Sequence, residues 1–438
     1  MSDAKNKGWG VVFSALFINL SIGGLYAWSV FKSAIKGYIE NGDTFNILGK
    51  TVSFNWDIAS LNDPYAWACV IMSAGLLAAG RLQDKKGPAI TSLLGGIMAG
   101  AGLLMASFST NYWVWFIGFG VLFGTGIGFA YSAGSPAALK WFNKAKSGMV
   151  AGIVVSGFGS APIYVAPLAD FLIKKYDIFV ATRVFGVIAL VVITLLSILV
   201  LRNPPEGYVA PISDKEKAKL AKKSASHAHD VSEDFKPIEV IKTPALYILW
   251  VLFFIGAGAG LLVIGSMTEM AKKQLGTFAF LAVIILAMGN ATGRLMGGII
   301  SDKIGRIWTL MIMFAFQSIM MFTAIYVTGI KEAALIPAIM IVALTILIGF
   351  NYGTNMSLFP SFTKDLWGMK NFGVNYGLVY SAWGVGGFVL SRVSQMLFKA
   401  SSTVPELRNY NGSFLLAGSM LIIGIGLIFL LKKLKPHH

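Results

Sequence analysis

The chain has 438 residues, of which 56% are hydrophobic and only 13% charged, where a water-soluble domain usually carries roughly 25% charged residues. With a mean hydropathy of +0.70, this composition excludes a globule that hides its apolar surface from water. Its single cysteine, Cys69, excludes an intrachain disulfide and a cysteine-cluster metal site, and reads as a small helix-packing residue. The formal net charge of +16 does not point to nucleic acid, because the Lys and Arg sit mostly in short segments between apolar runs, which is a membrane-topology signal.

A bilayer core ~30 Å thick needs about 20 apolar residues per helix. The first run, near residues 9 to 31, is too long for a signal-peptide core and lacks a clear small-residue cleavage site, so it is expected to be a membrane helix. A first outer loop, about Lys32 to Asp63, follows it. Further runs lie near 64 to 83, 88 to 108, 112 to 139, 148 to 173 and 180 to 201, completing six. Residues 202 to 243 form the only long cytoplasmic connection, opening on Pro204 and Pro205, then Lys-rich and Ala/Ser-rich, with helix expected near Lys215 to Lys223. His227 and His229 lie in this linker and are not expected to bind metal. Six more runs follow near 244 to 269, 276 to 300, 307 to 329, 333 to 359, 373 to 398 and 411 to 431. The closing Pro436, His437 and His438 look like a purification-tag remnant and carry no argument.

The expected fold class is therefore an all-α membrane protein of twelve transmembrane helices, divided into 1–201, a linker 202–243, and 244–438. Lys and Arg are about twice as frequent on the side that holds both termini, so the termini are expected in the cytoplasm, and the expected location is the plasma membrane, the inner membrane of a bacterium.

The two parts repeat. Gly80, Arg81, Asp84, Lys85 and Gly87 follow the second run, and Gly298, Asp302, Lys303, Gly305 and Arg306 follow the eighth. A glycine, a lone acid and a short basic turn thus recur in corresponding places. This Gly-x-x-x-Asp-x-x-Gly-Arg pattern resembles the signature loop of the major facilitator superfamily, and the resemblance covers essentially the whole chain. It implies two parallel-related six-helix bundles around a midplane cavity that opens alternately to each side, a monomer by default, and loop charges at Arg81, Asp84, Lys85, Asp302 and Arg306 that latch neighbouring helices.

Charges at membrane depth are costly, which makes their short inventory informative. Arg294 lies eight residues before Asp302, so at ~1.5 Å per residue its Cα is roughly 10 Å or more inward of that loop. Asn290 precedes it by one helical turn and shares its face. A guanidinium grips two carboxylate oxygens and the amide adds another hydrogen bond, so the pair suits a small carboxylate. Snorkelling of Arg294 to the headgroups is the alternative. Arg392 and Asp170, near the ends of their runs, are candidates for a rim or an external gate, and Glu269 with Lys272 is expected to be solvated.

Tyr26, Tyr131, Tyr352 and Tyr380 lie well inside their runs, where a phenol needs a partner that a wet cavity provides. Gly289, Gly293 and Gly297, Gly120, Gly124 and Gly128, and Gly148 with Gly152 recur at four-residue spacing, the pattern of tight helix crossings. Pro162 and Pro167 mark a kink in the fifth helix.

Local strings narrow the resemblance. Lys7, Gly8, Trp9, Gly10, Val11 and Val12 are similar to the start of the first helix of monocarboxylate transporters, and Trp141 to Lys146 resembles the motif before their fifth helix, with a one-residue insertion. Asn290 and Arg294 fall on that family's Asp-x-x-x-Arg pair. Ser301 to Arg306 and Leu358, Phe359, Pro360 also look like the bacterial oxalate:formate exchanger, whose cavity-lining aromatics match Tyr26, Tyr131, Phe158, Tyr352 and Tyr380. Its second cation falls on Trp383.

One guanidinium balances a monoanion and undercompensates a dianion at low dielectric, so lactate, pyruvate or a similar short monocarboxylate is the expected substrate. The family's acid falls on Asn290 and its first-helix Lys on Val30, with Lys32 two positions away. Neither His nor a central carboxylate is left to carry a proton. Proton-linked symport remains the expectation, with Asp170 or the substrate site holding the proton, and an organic-anion exchanger without protons is the alternative. A sensor, a channel and a membrane enzyme are disfavoured by the lack of an appended signalling domain, by the repeat and by the lack of a catalytic constellation. No cofactor, metal or nucleic acid is expected as a partner, only the carboxylate, protons and lipid.

Overall fold

A computed structural model describes residues 2–47, 49–142, 147–205, 207–210, 234–330, 335–368, 371–404 and 407–433. The expected linker helix near Lys215 to Lys223, His227 and His229 lie outside these residues. So does the stretch 143–146 of the motif before the fifth helix.

In lipid every backbone N–H and C=O has to be bonded within the protein, and helices meet that demand locally. Among the described residues, ten helical stretches are long and apolar enough to cross a bilayer, beginning with Lys7–Asn41 and ending with Asn411–Lys433. The runs expected near 64 to 83 and 373 to 398 are helical too, within α3 (Asp63–Ala106) and α15 (Phe372–Ala400), but fall outside these ten. The second carries Asn375, Ser391, Arg392, Ser394 and Gln395, of which all but Arg392 are buried, so its polarity faces protein. Large apolar side chains cover the outside instead, among them Leu199 (64% exposed), Ile423 (63%) and Leu335 (76%).

The first span is interrupted. α1 (Ser2–Ile22) passes through a 3₁₀ turn, Gly23–Ala27, into α2 (Trp28–Asn41). The expected first outer loop therefore starts ten residues late: Phe31, Lys32 and Ile35 are buried on one face of α2, and Gly42 in the left-handed region (φ 69°) closes the helix. The loop itself contains a two-stranded hairpin, β1 (Thr44–Ile47) and β2 (Lys50–Ser53), with Thr44 opposite Ser53. This departs from the expectation of helix alone. Phe45 holds the hairpin down against Phe54 and Phe179.

The repeated loop is built the same way twice. Gly87 (φ 84°) and Gly305 (φ 89°) both take the left-handed region that a side chain disfavours. In both copies a threonine one turn later, Thr91 or Thr309, donates its hydroxyl to that glycine's carbonyl, at 2.9 and 2.8 Å.

Further along lie α4 (Tyr112–Trp115), a π-helical stretch Phe116–Phe123 and α5 (Gly124–Leu139). The fifth span is divided at Ala161 into α6 (Ser147–Ser160) and α7 (Pro162–Lys175), and α8 (Ile178–Leu199) follows. Pro162, lacking an N–H, starts the second piece. The C-terminal part comprises α9 (Pro237–Ile241), α10 (Pro244–Ile264), α11 (Met267–Leu275), α12 (Phe280–Ile304), α13 (Arg306–Gly329), α14 (Leu335–Trp367), α15 and α16 (Asn411–Lys433).

Glycines set the closest crossing. A Cβ on Gly289 would lie 2.2 Å from the Ile346 carbonyl oxygen and one on Gly293 2.0 Å from that of Phe350, while Gly349 and Gly353 of α14 press equally close to Leu286 and Asn290 of α12. Without a hydrophobic drive between helices in lipid, such backbone proximity is what holds them. Gly124 and Gly128 of α5 do the same against Ala68 and Met72. Gly148 lies outside the side-chain description.

Gly293→Ala is expected to destabilise the protein by about 1–3 kcal/mol through overpacking. Gly298→Ala, five residues away with open space at the Cβ position, is expected to be neutral or to stabilise by up to about 1 kcal/mol. Thermal unfolding of the two purified variants checks the contrast.

Candidate functional site

The α12–α14 crossing fixes the backbone from which Asn290 and Arg294 project: a Cβ on Gly353 would meet the Asn290 carbonyl at 2.1 Å and the Arg294 nitrogen at 3.0 Å. Arg294 Nε donates to Asn290 Oδ1 at 3.0 Å, and Nη1 reaches the Val155 carbonyl of α6 at 3.4 Å. The guanidinium thus points across the protein interior rather than to the headgroups. It rests on Gly159, where a Cβ would stand 3.3 Å from Nε. Both of these hydrogen-bond acceptors are neutral. Asn290 is fully buried, and its Nδ2 has no hydrogen-bond partner. A buried donor left unmet costs about 1–3 kcal/mol, so this amide is held ready for an acceptor.

Aromatic rings close the space around the guanidinium. The hydroxyls of Tyr26, Tyr131, Tyr352 and Tyr380 all interact electrostatically with Arg294. Tyr26 and Tyr352 share a hydrogen bond of 2.7 Å between the N- and C-terminal parts of the chain, and Trp383 Nε1 donates to Tyr352 at 2.8 Å. Phe158 stands edge-on to both Tyr26 and Tyr131, with centroids at 4.9 and 5.4 Å. Tyr380 stacks on Trp383. All eight residues singled out from the sequence are therefore neighbours in one assembly. Tyr376 belongs with them: it interacts electrostatically with Arg294, Tyr131 and Tyr26 and its ring meets Tyr380. Its position one turn before Tyr380 was the available signal.

Beyond this layer, at the end of the protein remote from both termini, polar bonds join the two parts of the chain. Ser29 Oγ and Thr268 Oγ1 are 3.0 Å apart. Lys32, fully buried, pairs with Glu269 at 2.9 Å and donates to Ser266 at 2.7 Å and Tyr410 at 3.0 Å. Lys36 makes a second, shorter pair with Glu269, which also accepts from Tyr410. Glu269 is thus 8% exposed, which corrects the expectation that it is solvated. Distance along the chain hid it: the residue follows the apolar run of α10, and its partners come from α2 and the segment before α16.

Arg392 pairs with Asp63, which accepts from Tyr112 at 2.8 Å, and Lys399 holds Asp57 at 2.6 and 2.8 Å. The Lys399 ammonium keeps the Asp57 carboxyl below the usual carboxylate range. Asp170 pairs with Lys174 of its own helix, and Lys174 reaches the Thr277 carbonyl at 3.3 Å.

At the opposite end, Arg306 is bonded to Asp365 at 3.2 Å and to Ser301, while Lys85 is exposed. The side chains of Arg81, Asp84 and Asp302 lie outside the described residues.

The family model of the Major Facilitator Superfamily matches residues 9–391. Similar proteins include the oxalate:formate antiporter of Oxalobacter formigenes, 24% identical over 86% of this chain and 81% of that protein. Apicoplast pyruvate carrier 1 of Toxoplasma gondii is 24% identical over 86% and 82%, and monocarboxylate transporter 13 of Bos taurus is 24% identical over 98% and 89%. A multi-pass helical chain, a signature loop built twice with the same glycine and threonine geometry, and a family match over most of its length lead to one conclusion: this protein belongs to the Major Facilitator Superfamily, as a membrane transporter and not an enzyme.

Proposed function

We propose that the protein carries short monocarboxylates such as lactate or pyruvate across a plasma membrane together with protons, by alternating access. In this reading the chain spans the bilayer twelve times as two six-helix bundles, 1–201 and 244–438, joined by the linker 202–243, and works as a monomer. Both termini face the cytoplasm, in a bacterium from the inner membrane, because Lys and Arg concentrate on that side. The remote end, closed by Lys32, Glu269, Arg392 and Asp63, then faces outward.

The observation that carries the reading is Arg294 with neutral partners beside the unmet Nδ2 of Asn290. A carboxylate placed there takes charge-assisted hydrogen bonds from the guanidinium and one from the amide. The surrounding tyrosines offer hydroxyls, while Phe158 and Trp383 supply apolar walls for a short carbon chain. A second carboxylate would face Trp383 and aromatic rings with no counter-charge, which selects against a dianion. The names of the relatives agree in class: oxalate and formate, pyruvate, monocarboxylates. Their range supports an exchanger without protons as the second reading, since one of them is an antiporter.

Pyruvate and lactate are expected to raise the melting temperature of the wild type, and oxalate to do so much less. Arg294→Ala is expected to lose at least about tenfold in affinity, the equivalent of one charge-assisted bond of about 1.5–3 kcal/mol. A full ligand shift in that variant would overturn the role of Arg294.

In proteoliposomes an inward proton gradient is expected to drive accumulation of labelled substrate. Uptake indifferent to the gradient but accelerated by preloaded substrate would replace symport with exchange.

A further inference from the structure

The Lys32–Glu269 pair lies apart from the carboxylate site, and its part in the function as argued so far is only to close the remote end. We propose that Glu269 is a proton-binding site whose protonation releases the closed remote end, with Lys32 as its counter-ion in the closed state. This rests on the proton-coupled reading above and names the group that reading lacks.

The geometry ties the carboxylate to closure. Glu269 lies on α11, a short helix set off from α10 by Gly265 and Ser266. Its partners Lys32 and Lys36 are on α2, in the other part of the chain, so the pair is a strut across the closed end. The three N–H groups of the Lys32 ammonium are matched by three oxygens, those of Glu269, Ser266 and Tyr410. Only one of these oxygens is charged. A proton on Glu269 would leave a fully buried cation among neutral groups, the arrangement that strongly destabilises an interior. Separation of α2 from α11 hydrates the ammonium and removes that strain.

The other described acids are less suited to this task. Asp63 is buried, but its partner Arg392 is 36% exposed, so water already compensates the cation. The Asp170–Lys174 pair is more open still and lies within a single helix.

A route for the proton exists. A cavity of about 600 Å³ opens beside the pair, lined among others by Lys36, Glu40, Glu269, Lys272, Arg408 and Tyr410. Water there reaches the carboxylate, and the step is a single protonation of a carboxylate oxygen with no other bond changed. Around Glu269, α2 presents Lys32, Lys36 and Glu40, the segment before α16 presents Arg408 and Tyr410, and α11 itself carries Lys272. Gln395 of α15, Thr328 of α13 and Thr345 of α14 are neutral. With two ammonium groups at hand the closed arrangement keeps Glu269 ionised, and the opened one, with the lysines withdrawn, takes the proton. By linkage, acid then favours opening.

The test needs no substrate. Spin labels at Asn41→Cys, beside Glu40, and Thr403→Cys, in the loop after α15, in a Cys69→Ala background report the remote end in lipid nanodiscs. The wild-type distance distribution is expected to lengthen between pH 8 and pH 5. Glu269→Gln, which mimics the protonated acid, is expected to be long at both. Lys32→Gln removes a cation that favours the ionised form and is expected to move the midpoint up by about one pH unit or more. A pH-independent wild type, or a Glu269→Gln protein that responds to acid as the wild type does, overturns the proposal. If Glu269→Gln does not fold, an unmoved midpoint in Lys32→Gln overturns it. Because the readout is ligand-free, a failure of pyruvate to bind the wild type sinks the substrate reading without touching this result.

Discussion

Charge in an apolar interior has to be answered by charge or by several well-aimed dipoles, and most of what distinguishes this molecule follows from how two interior cations, Lys32 fully buried and Arg294 partly so, meet that requirement. Lys32 meets it within the protein, through Glu269 and two hydroxyls. Arg294 donates to an amide oxygen and a backbone carbonyl, which satisfy N–H groups and leave the positive charge unbalanced. One cation is balanced by a carboxylate within the molecule, and the other, on the reading proposed above, by a bound carboxylate. The two are separated by a hydroxyl and indole layer of Tyr26, Tyr352 and Trp383, so each keeps its own electrostatic surroundings.

Closeness between helices supplies the rigidity that such aim requires. Asn290 and Arg294 project from a helix whose adjoining flank lies backbone to backbone on α14, with glycines on both sides of the crossing. A side chain that has to hold a guanidinium within hydrogen-bond distance of a neighbour gains little from a stiff rotamer if the helix beneath it rocks. Here the helix is anchored main chain against main chain, a fit that no rotamer change relaxes. Gly159 then provides the complementary clearance on the facing helix.

Much of this was legible in the residues. Apolar run length marks helical stretches, four-residue glycine spacing marks the crossings at Gly289, Gly293 and Gly297 and at Gly124 and Gly128, although Gly152 meets only a Leu295 side chain at 3.6 Å, and the one-turn separation of Asn290 and Arg294 puts them on one face. The buried charges were hidden because long-range partners leave no local trace. Glu269 reads as a charge just past the end of an apolar helix, and nothing near it in the chain announces Lys32, Lys36 or Tyr410. The continuation of α2 to Asn41 was masked by its mixed polarity, because Lys32 and Lys36 look like the start of a loop until their carboxylate is known. The hairpin at Thr44–Ser53 is too short for its alternation to stand out, and Tyr376 was passed over in favour of Tyr380 although they share a face.

The interruptions in the first and fifth spans fall against each other. Gly23 opens the 3₁₀ turn of the first, and a Cβ there would come within 2.4 Å of Ala161 and 2.6 Å of the Phe158 carbonyl, at the point where the fifth divides before Pro162. Two touching rods, each jointed at the same height, form a waist in the bundle. Tyr26 and Phe158, which meet edge-on beside Arg294, belong to these two interrupted segments, so part of the wall around the guanidinium rests on the least continuous backbone of the first and fifth spans.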